Sequence, residues 1–457
     1  MNGMIRLRGG TVMTLGADAA VLPATDVWLA DGKILGFGDQ PPASSSNASA
    51  RVVDVSGCLV LPGLVQGHMH LGQTLFRGLA EQRRLLAWLR ERIWPLEAAH
   101  DEESAYWGAM LGAAECLLSG TTAIQDIGIG PGAQGLLRAL VDSGIRAVAG
   151  KCLMDAGDAL PPALAEATDR TLADTESLGR LFDGAGDGRL SYALCPRFIL
   201  SGSDALWSGV RDLAERHGWP VHTHALEQRD ETELVRALKN GRDEIEYFAD
   251  AGILATDFRV AHGVWLDAGH LHRVRGGRFS VVHCPGSNLK LGSGIAPVLA
   301  IRAAGVPVGI GADGAACNND LDAFEELRLA ALLQSVQHGP GALGGLDALR
   351  LATSEGATAI GLGREIGSLE VGKRADILVL SMERPEMWCA PQADLHDLVA
   401  FGASRASVKH VLVGGELQVE DGRLTRLDLA EIRRQADRCL RDLVRRSGLD
   451  LGPTRRI

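Results

Sequence analysis

From residue 59 onward, short apolar runs alternate with longer stretches whose apolar positions recur every three to four residues. The short runs predict strands near 59–66 (LVLPGLVQ), 121–126 (TTAIQD), 146–153 (RAVAGKCL), 190–195 (LSYALC), 219–223 (WPVHT), 258–261 (FRVA), 279–282 (FSVV) and 306–312 (VPVGIGA). The stretches between them predict amphipathic helices, for example 103–118 and 203–217. Buried strands alternating with helices are the pattern of a parallel sheet covered by helices. Eight such strands predict an α/β fold, a (β/α)8 TIM-type barrel. The rival, a doubly wound open sheet, usually carries a Gly-rich phosphate turn after its first strand, and GxGxxG is absent there.

The two ends of the chain read differently. Residues 1–58 are short strands and turns; in "DVWLADGKILGFG" the pair Asp31-Gly32 between apolar runs predicts a hairpin. "PPASSSNASA" (41–50) is a polar surface loop. Beyond about residue 365, "IGSLEVGKRADILVL" and "VKHVLVGGELQVEDGRL" return to strands and turns. The predicted organisation is therefore a barrel over 59–365, with 1–58 and 366–457 joining as a small β-sandwich. A charged amphipathic helix over 428–446 is expected to pack on the flank.

Composition narrows the function. The chain has 457 residues, 46% hydrophobic and 23% charged, enough for one large domain and a smaller one. A net charge of -11 argues against nucleic acid or an anionic membrane, and aromatic content of 4% against a base-stacking platform. There is no apolar run of about 18–20 residues and no signal-peptide layout at the N-terminus. Eight scattered cysteines without CxxC read as reduced thiols of a cytoplasmic protein. The expected partner is a small-molecule substrate, and the expected assembly a homo-oligomer.

Ionisable residues collect where four of the predicted strands end. "LPGLVQGHMHLGQTLFRG" finishes its strand with His68 and His70. In an extended chain, positions two apart share a face about 6–7 Å apart, so two imidazoles there can converge on one cation. The fifth strand runs into "HTHALE" with His222, His224 and Glu227, the sixth ends at His262, and the eighth at Asp313. Active sites of such barrels sit on this rim. Three imidazoles and a carboxylate suit a divalent ion such as zinc or iron with a position left for water, whose pKa falls from 15.7 to about 7. A further carboxylate can then carry the proton. Glu227 is close enough to serve; a solvated acid in "LEQRDETE" is the alternative reading.

These stretches, with "AHGVWL", "HCPGSNLKLGSGIAPV", "GADGAACNNDLDAFEELRLAALLQ" and "GSLEVGKRADILVL", resemble the amidohydrolase superfamily in its metal-dependent deaminase and chlorohydrolase branch. The last three resemble the S-adenosylhomocysteine, methylthioadenosine and 5'-deoxyadenosine deaminases. The resemblance implies His68, His70, His224 and Asp313 as metal ligands, Glu227 as proton shuttle, and His262 as the imidazole that holds water and substrate. It also implies that Asp313 accepts a proton from the water. No Lys ends the fourth strand ("ALCPRF"), so a carbamylated bridging lysine is excluded and one metal is expected, zinc first and iron second.

The resemblance divides over substrate. Glu97 in "WPLE" matches a ribose-hydroxyl binder of adenosine-type deaminases, although guanine deaminases carry a similar Glu. Gln73 in "HxHxxQ" and Arg197 in "PRF" are similar to the pair that grips the purine in guanine deaminase. Arg provides donors only, which suits a ring carbonyl or ring nitrogen, whereas Gln both donates and accepts. The leading expectation is an adenosine-type deaminase; guanine-type or other amino-heterocycle deamination and s-triazine hydrolysis follow, and a metal-binding scaffold without turnover comes last. His222 is read as core or as support for a ligand, His283 as packing or support, and Trp88 and Trp94 as helix-face core in preference to a stacking lid.

Overall fold

The structure, a computed structural model, describes residues 4–42 and 50–451; most of the predicted polar loop 41–50 lies outside the described residues. All eight predicted central strands are present. Leu64–Met69, Thr121–Asp126, Arg146–Ala149 and Leu190–Tyr192 form one four-stranded parallel sheet. Val221–Ala225, Phe258–His262, Phe279–His283 and Val308–Ile310 form a second. Single parallel bridges, Met69 to Asp313 and Leu194 to Val221, link the two sheets. Nearly every residue in these strands is buried, because helices cover one face and the central side chains the other.

The first predicted strand, 59–66, is in fact two. Cys58–Pro62 belongs to a different sheet, and the chain crosses at Gly63 into Leu64–Met69. A Cβ on Gly63 would stand 2.1 Å from Thr122 Oγ1, so only glycine lets the crossing lie against the neighbouring strand.

The chain ends form one nine-stranded sheet where the sequence predicts a sandwich. The ladder is continuous because Cys58–Pro62 pairs with Ile5–Met13 on one side and with Ile377–Ser381 on the other. Period-two alternation lets this strand serve two cores. Cys58 and Val60 join a small core shared by both chain ends, while Leu59 and Leu61 join the large core of the central strands. The predicted Asp31-Gly32 hairpin is present, with both residues at positive φ (49° and 74°), and it reaches back to residues 373–375. Residues from both chain ends share the small core of this sheet.

The terminal helix runs over Leu429–Ser447 and is capped by Asp428, which accepts from Ala430 N and Glu431 N. Its buried stripe, Ile432, Ala436, Cys439 and Leu443, follows the helical period. The last three pack with Trp88, Trp94 and Leu96, which anchors the segment over one mouth of the central strands.

Candidate active site

The strand ends bring the predicted residues together. His68 and His70 close the strand Leu64–Met69, His224 lies in Val221–Ala225, His262 ends its strand, and Asp313 follows Val308–Ile310. All are buried. Leu226, His262 and Asp313 have positive φ (54°, 73° and 61°), conformations costly for residues with a Cβ and typical of functional rims. Gly311 makes the approach of Asp313 possible, since a Cβ there would meet His68 O at 2.5 Å.

One ligand atom from each of His68, His70, His224 and Asp313 lies within 4.8 Å of the others. Asp313 Oδ1 is 3.2 Å from His68 Nε2 and 3.3 Å from His70 Nε2, and His70 Nε2 is 3.0 Å from His224 Nε2. Donors around a tetrahedral ion with bonds of about 2.1 Å stand about 3.4 Å apart.

The hydrogen bonds behind these atoms fix the tautomers. His222 Nδ1 faces Arg259 O at 3.3 Å and must donate, so its Nε2 accepts from His68 Nδ1 at 2.8 Å. That leaves a lone pair on His68 Nε2, pointing at a carboxylate oxygen. His224 Nδ1 donates to Arg197 O at 2.6 Å, so its Nε2 also carries a lone pair. Burial pushes the three imidazoles below the usual histidine range and keeps them neutral. The lone pairs of His68 Nε2 and His224 Nε2 and the Asp313 carboxylate converge, with no hydrogen on either of these nitrogens. A cation satisfies them all.

Burial raises Asp313, but the surrounding His68, His70 and His262 outweigh this and hold it well below the carboxylate range. Its Oδ2 accepts from Ser287 Oγ at 2.7 Å. Glu227 stands apart from the ligand set: its Oε2 is 3.5 Å from His262 Nε2, and Ser293 Oγ reaches its Oε1 at 3.4 Å. Burial pushes its carboxyl up, against the pull of His262. His262 is oriented by Asn288, whose Oδ1 is 2.9 Å from Nδ1, and turns Nε2 toward Glu227 and Asp313 (3.9 Å to Oδ2).

A cavity opens onto this group. Its apolar wall is made by Leu85, Trp88, Leu89, Phe198 and Leu291, and its polar wall by Arg197 with the site residues. Leu89–Ile93 forms a π-helical turn, a wide turn frequent at functional sites. Trp88, expected as core, therefore also faces the cavity, while Trp94 is core as expected. Glu97, expected to act apart from the Gln73–Arg197 pair, forms one network with both. Glu97 Oε1 accepts from Gln73 Nε2 at 2.8 Å and Oε2 from Arg197 Nη1 at 2.5 Å.

Buried His222 hydrogen-bonds His68, whereas both ring nitrogens of buried His283 lack a hydrogen-bond partner among the described residues. Four supporting residues were missed from sequence. Ser287 and Asn288 were legible only as polar residues following a strand end. Asp126, raised by burial to about 7, accepts from Leu71 N and Gly128 N and so pins the chain after His70. It ends a predicted strand on the same rim, which was a usable signal. Glu231 accepts from Glu227 N at 3.0 Å, and only a solvated face was visible around it.

Comparison with known proteins places these features in a wider set. Residues 59–418 match the model of the amidohydrolase family. The chain is 37% identical over 453 residues, 98% of its length and all of the relative's, to 5-methylthioadenosine/S-adenosylhomocysteine deaminase of Halobacterium salinarum. It is 36% identical over 394 residues, 86% of its length and 88% of the relative's, to 5'-deoxyadenosine deaminase of Methanobrevibacter smithii. Among solved structures it is similar to an adenosine deaminase from Xanthomonas campestris with bound zinc. That similarity has a TM-score of 0.87 and 32% identity, over 96% of this chain and 98% of the other.

Proposed function

The chain belongs to the amidohydrolase family, and from that premise we infer a metal-dependent hydrolase acting on carbon–nitrogen bonds, which releases ammonia from an aminated purine nucleoside. The substrates of choice are of the S-adenosylhomocysteine, methylthioadenosine and 5'-deoxyadenosine type. The observation that carries the reading is the buried convergence of lone pairs from His68 and His224 with the Asp313 carboxylate, next to an uncommitted Glu227.

His68, His70, His224 and Asp313 are the proposed ligands of one divalent ion, zinc in preference to iron. Such an ion supplies Lewis-acid activation of the hydrolytic water. The proposed roles of the side chains follow from their surroundings. Glu227 Oε2, in a dry pocket that favours its protonated form, gives a proton to the ring or the departing amine and recovers one from water. His262, fixed by Asn288, presents Nε2 to the reacting group. Asp313, held ionised, accepts a proton from water through the oxygen that Ser287 orients. Arg197 and His262 meet the substrate, with Gln73 and Glu97 behind Arg197. The net reaction exchanges one amino group for one carbonyl oxygen, with both water protons leaving in ammonia and the product ring.

We propose further that the two parallel sheets close as an eight-stranded barrel over about 59–365, supported by the bridges at Met69 and Leu194. The terminal sheet would then be the small sandwich of 1–58 and 366–457, with Cys58–Pro62 as its shared strand. A cytoplasmic location fits eight free cysteines, and exposed Val336 and Trp388 suit a homo-oligomer.

A second reading, a guanine-type or other amino-heterocycle deaminase, is favoured by the donor-only Arg197 on the cavity wall; s-triazine hydrolysis is a third. Ammonia release separates them when measured with methylthioadenosine, S-adenosylhomocysteine, 5'-deoxyadenosine, adenosine, guanine, 8-oxoguanine, cytosine, pterins and aminotriazines. The nucleosides should turn over fastest. Turnover confined to a free base would replace the leading reading with the second.

A further inference from the structure

Glu97 is a buried carboxylate with 1% exposure, yet it stands beside the cavity without lining it. Arg197 stands between. Both oxygens of Glu97 are engaged, one by the Gln73 amide and the other by the Arg197 guanidinium. A hydroxyl in the cavity meets the Arg197 guanidinium, while Glu97 lies behind it.

Arg197, by contrast, lines the cavity next to His224 and Glu227, and its own carbonyl holds His224 Nδ1. A guanidinium is planar, so fixing one of its nitrogens on Glu97 fixes the direction of the remaining N–H groups. A buried guanidinium also needs a counter-charge, and its ion pair with Glu97 provides it. Gln73 completes the unit: its Nε2 is spent on Glu97, and its buried Oε1 has no hydrogen-bond partner among the described residues.

We propose that Glu97 is a positioning residue, which holds Arg197, backed by Gln73, as one rigid hydrogen-bonding plate whose Arg197 donors face the ring of the substrate, and that it does not bind ribose. The inference rests on the deaminase reading above. The plate recognises ring nitrogen or carbonyl acceptors beside the reacting carbon, through donors of Arg197. Selectivity between a nucleoside and its free base is then set elsewhere than at Glu97.

The test compares Glu97→Ala, Arg197→Ala and the double variant on adenosine and adenine, with metal content followed throughout. Each single variant should lower kcat/KM about 10–100-fold on both compounds, the loss of one charged hydrogen bond. The double variant should fall no more than about threefold below the weaker single, because the two residues act as one unit. The ratio of adenosine to adenine turnover should stay constant in Glu97→Ala. Added guanidinium should restore Arg197→Ala and fail to restore the double variant, which lacks its dock. A loss confined to adenosine in Glu97→Ala, multiplicative with Arg197→Ala, would overturn the proposal.

A melting cycle at pH 8 reads the same contact without substrate. Glu97→Gln should lower Tm in the wild-type background and raise it in the Arg197→Ala background, where the carboxylate is left buried without its counter-charge. The same sign and size in both backgrounds would refute the pairing. Absence of turnover on every amino-heterocycle would count against the assigned reaction alone, and the melting cycle would still decide this inference.

Discussion

At the scale of single residues, the site is built by assigning one proton to each imidazole. The chain from Arg259 O through His222 to His68 sets one tautomer, and Arg197 O sets that of His224. Glu227 lies outside this scheme, with burial favouring its neutral form. Glu227→Gln keeps the shape and removes the titratable oxygen. It should keep the metal and lower kcat by about 10²–10⁴-fold; an unchanged kcat in a metal-replete preparation would give the proton task to another group. Glu326 offers a pH test away from the ligands. It accepts from Gly286 N and Asn318 Nδ2, but burial raises it to about 7. In the unfolded chain a glutamate titrates near 4.3, so between the two values the folded state holds a proton that the unfolded state has lost. Its contribution is complete below the lower value and is lost as pH rises through 7, about 4 kcal/mol in all. The Tm of Glu326→Gln relative to wild type should therefore improve from pH 5 to pH 8. A constant difference would show that the carboxyl is ionised throughout.

At the scale of elements, the strands supply direction and their ends supply chemistry. Positive φ at His262, the last residue of its strand, and at Asp313, three residues beyond Val308–Ile310, marks where the chain departs from extended backbone. Helices act from outside. The terminal helix is a brace: Leu443 is fully buried against the segment that carries Trp88 and Glu97, and Arg446 Nε donates to Ala99 O at 2.9 Å. Leu443→Ala should cost about 2–4 kcal/mol of stability through the cavity it leaves. Because the helix braces the cavity wall and not the ligands, KM should rise while bound metal per chain stays constant. Metal loss in parallel with stability would show that the helix supports the whole rim. The amphipathic pattern at 428–446 revealed this helix one residue out of register with its observed span, Leu429–Ser447. Its target was not legible, since a stripe of Ile432, Ala436, Cys439 and Leu443 fits any apolar face.

At the scale of the whole molecule, His68, His70, His224 and Asp313 come from three separate segments and converge as a group that could hold one ion. Elemental analysis of active protein should give one divalent ion per chain, and removal by a chelator should abolish turnover, with recovery on adding zinc. Two ions per active chain would overturn the single-ion assignment. The sequence by itself determined the alternation of buried strands with helices, the Asp31-Gly32 hairpin, and the placement of His68, His70, His224, Glu227, His262 and Asp313 at strand ends. These are local matters of periodicity, turn chemistry and residue type, and they survive whatever the rest of the chain does. Tertiary structure alone decided the remainder. The strand predicted over 59–66 reads as one apolar run, and only the positions of Thr122 and Ile377–Ser381 divide it at Gly63 between two sheets. Nor does any spacing connect Gln73, Glu97 and Arg197, which lie 24 and 100 residues apart along the chain. Their contact arises because the folded rim removes all three from water together, and buried charge must then find its partner.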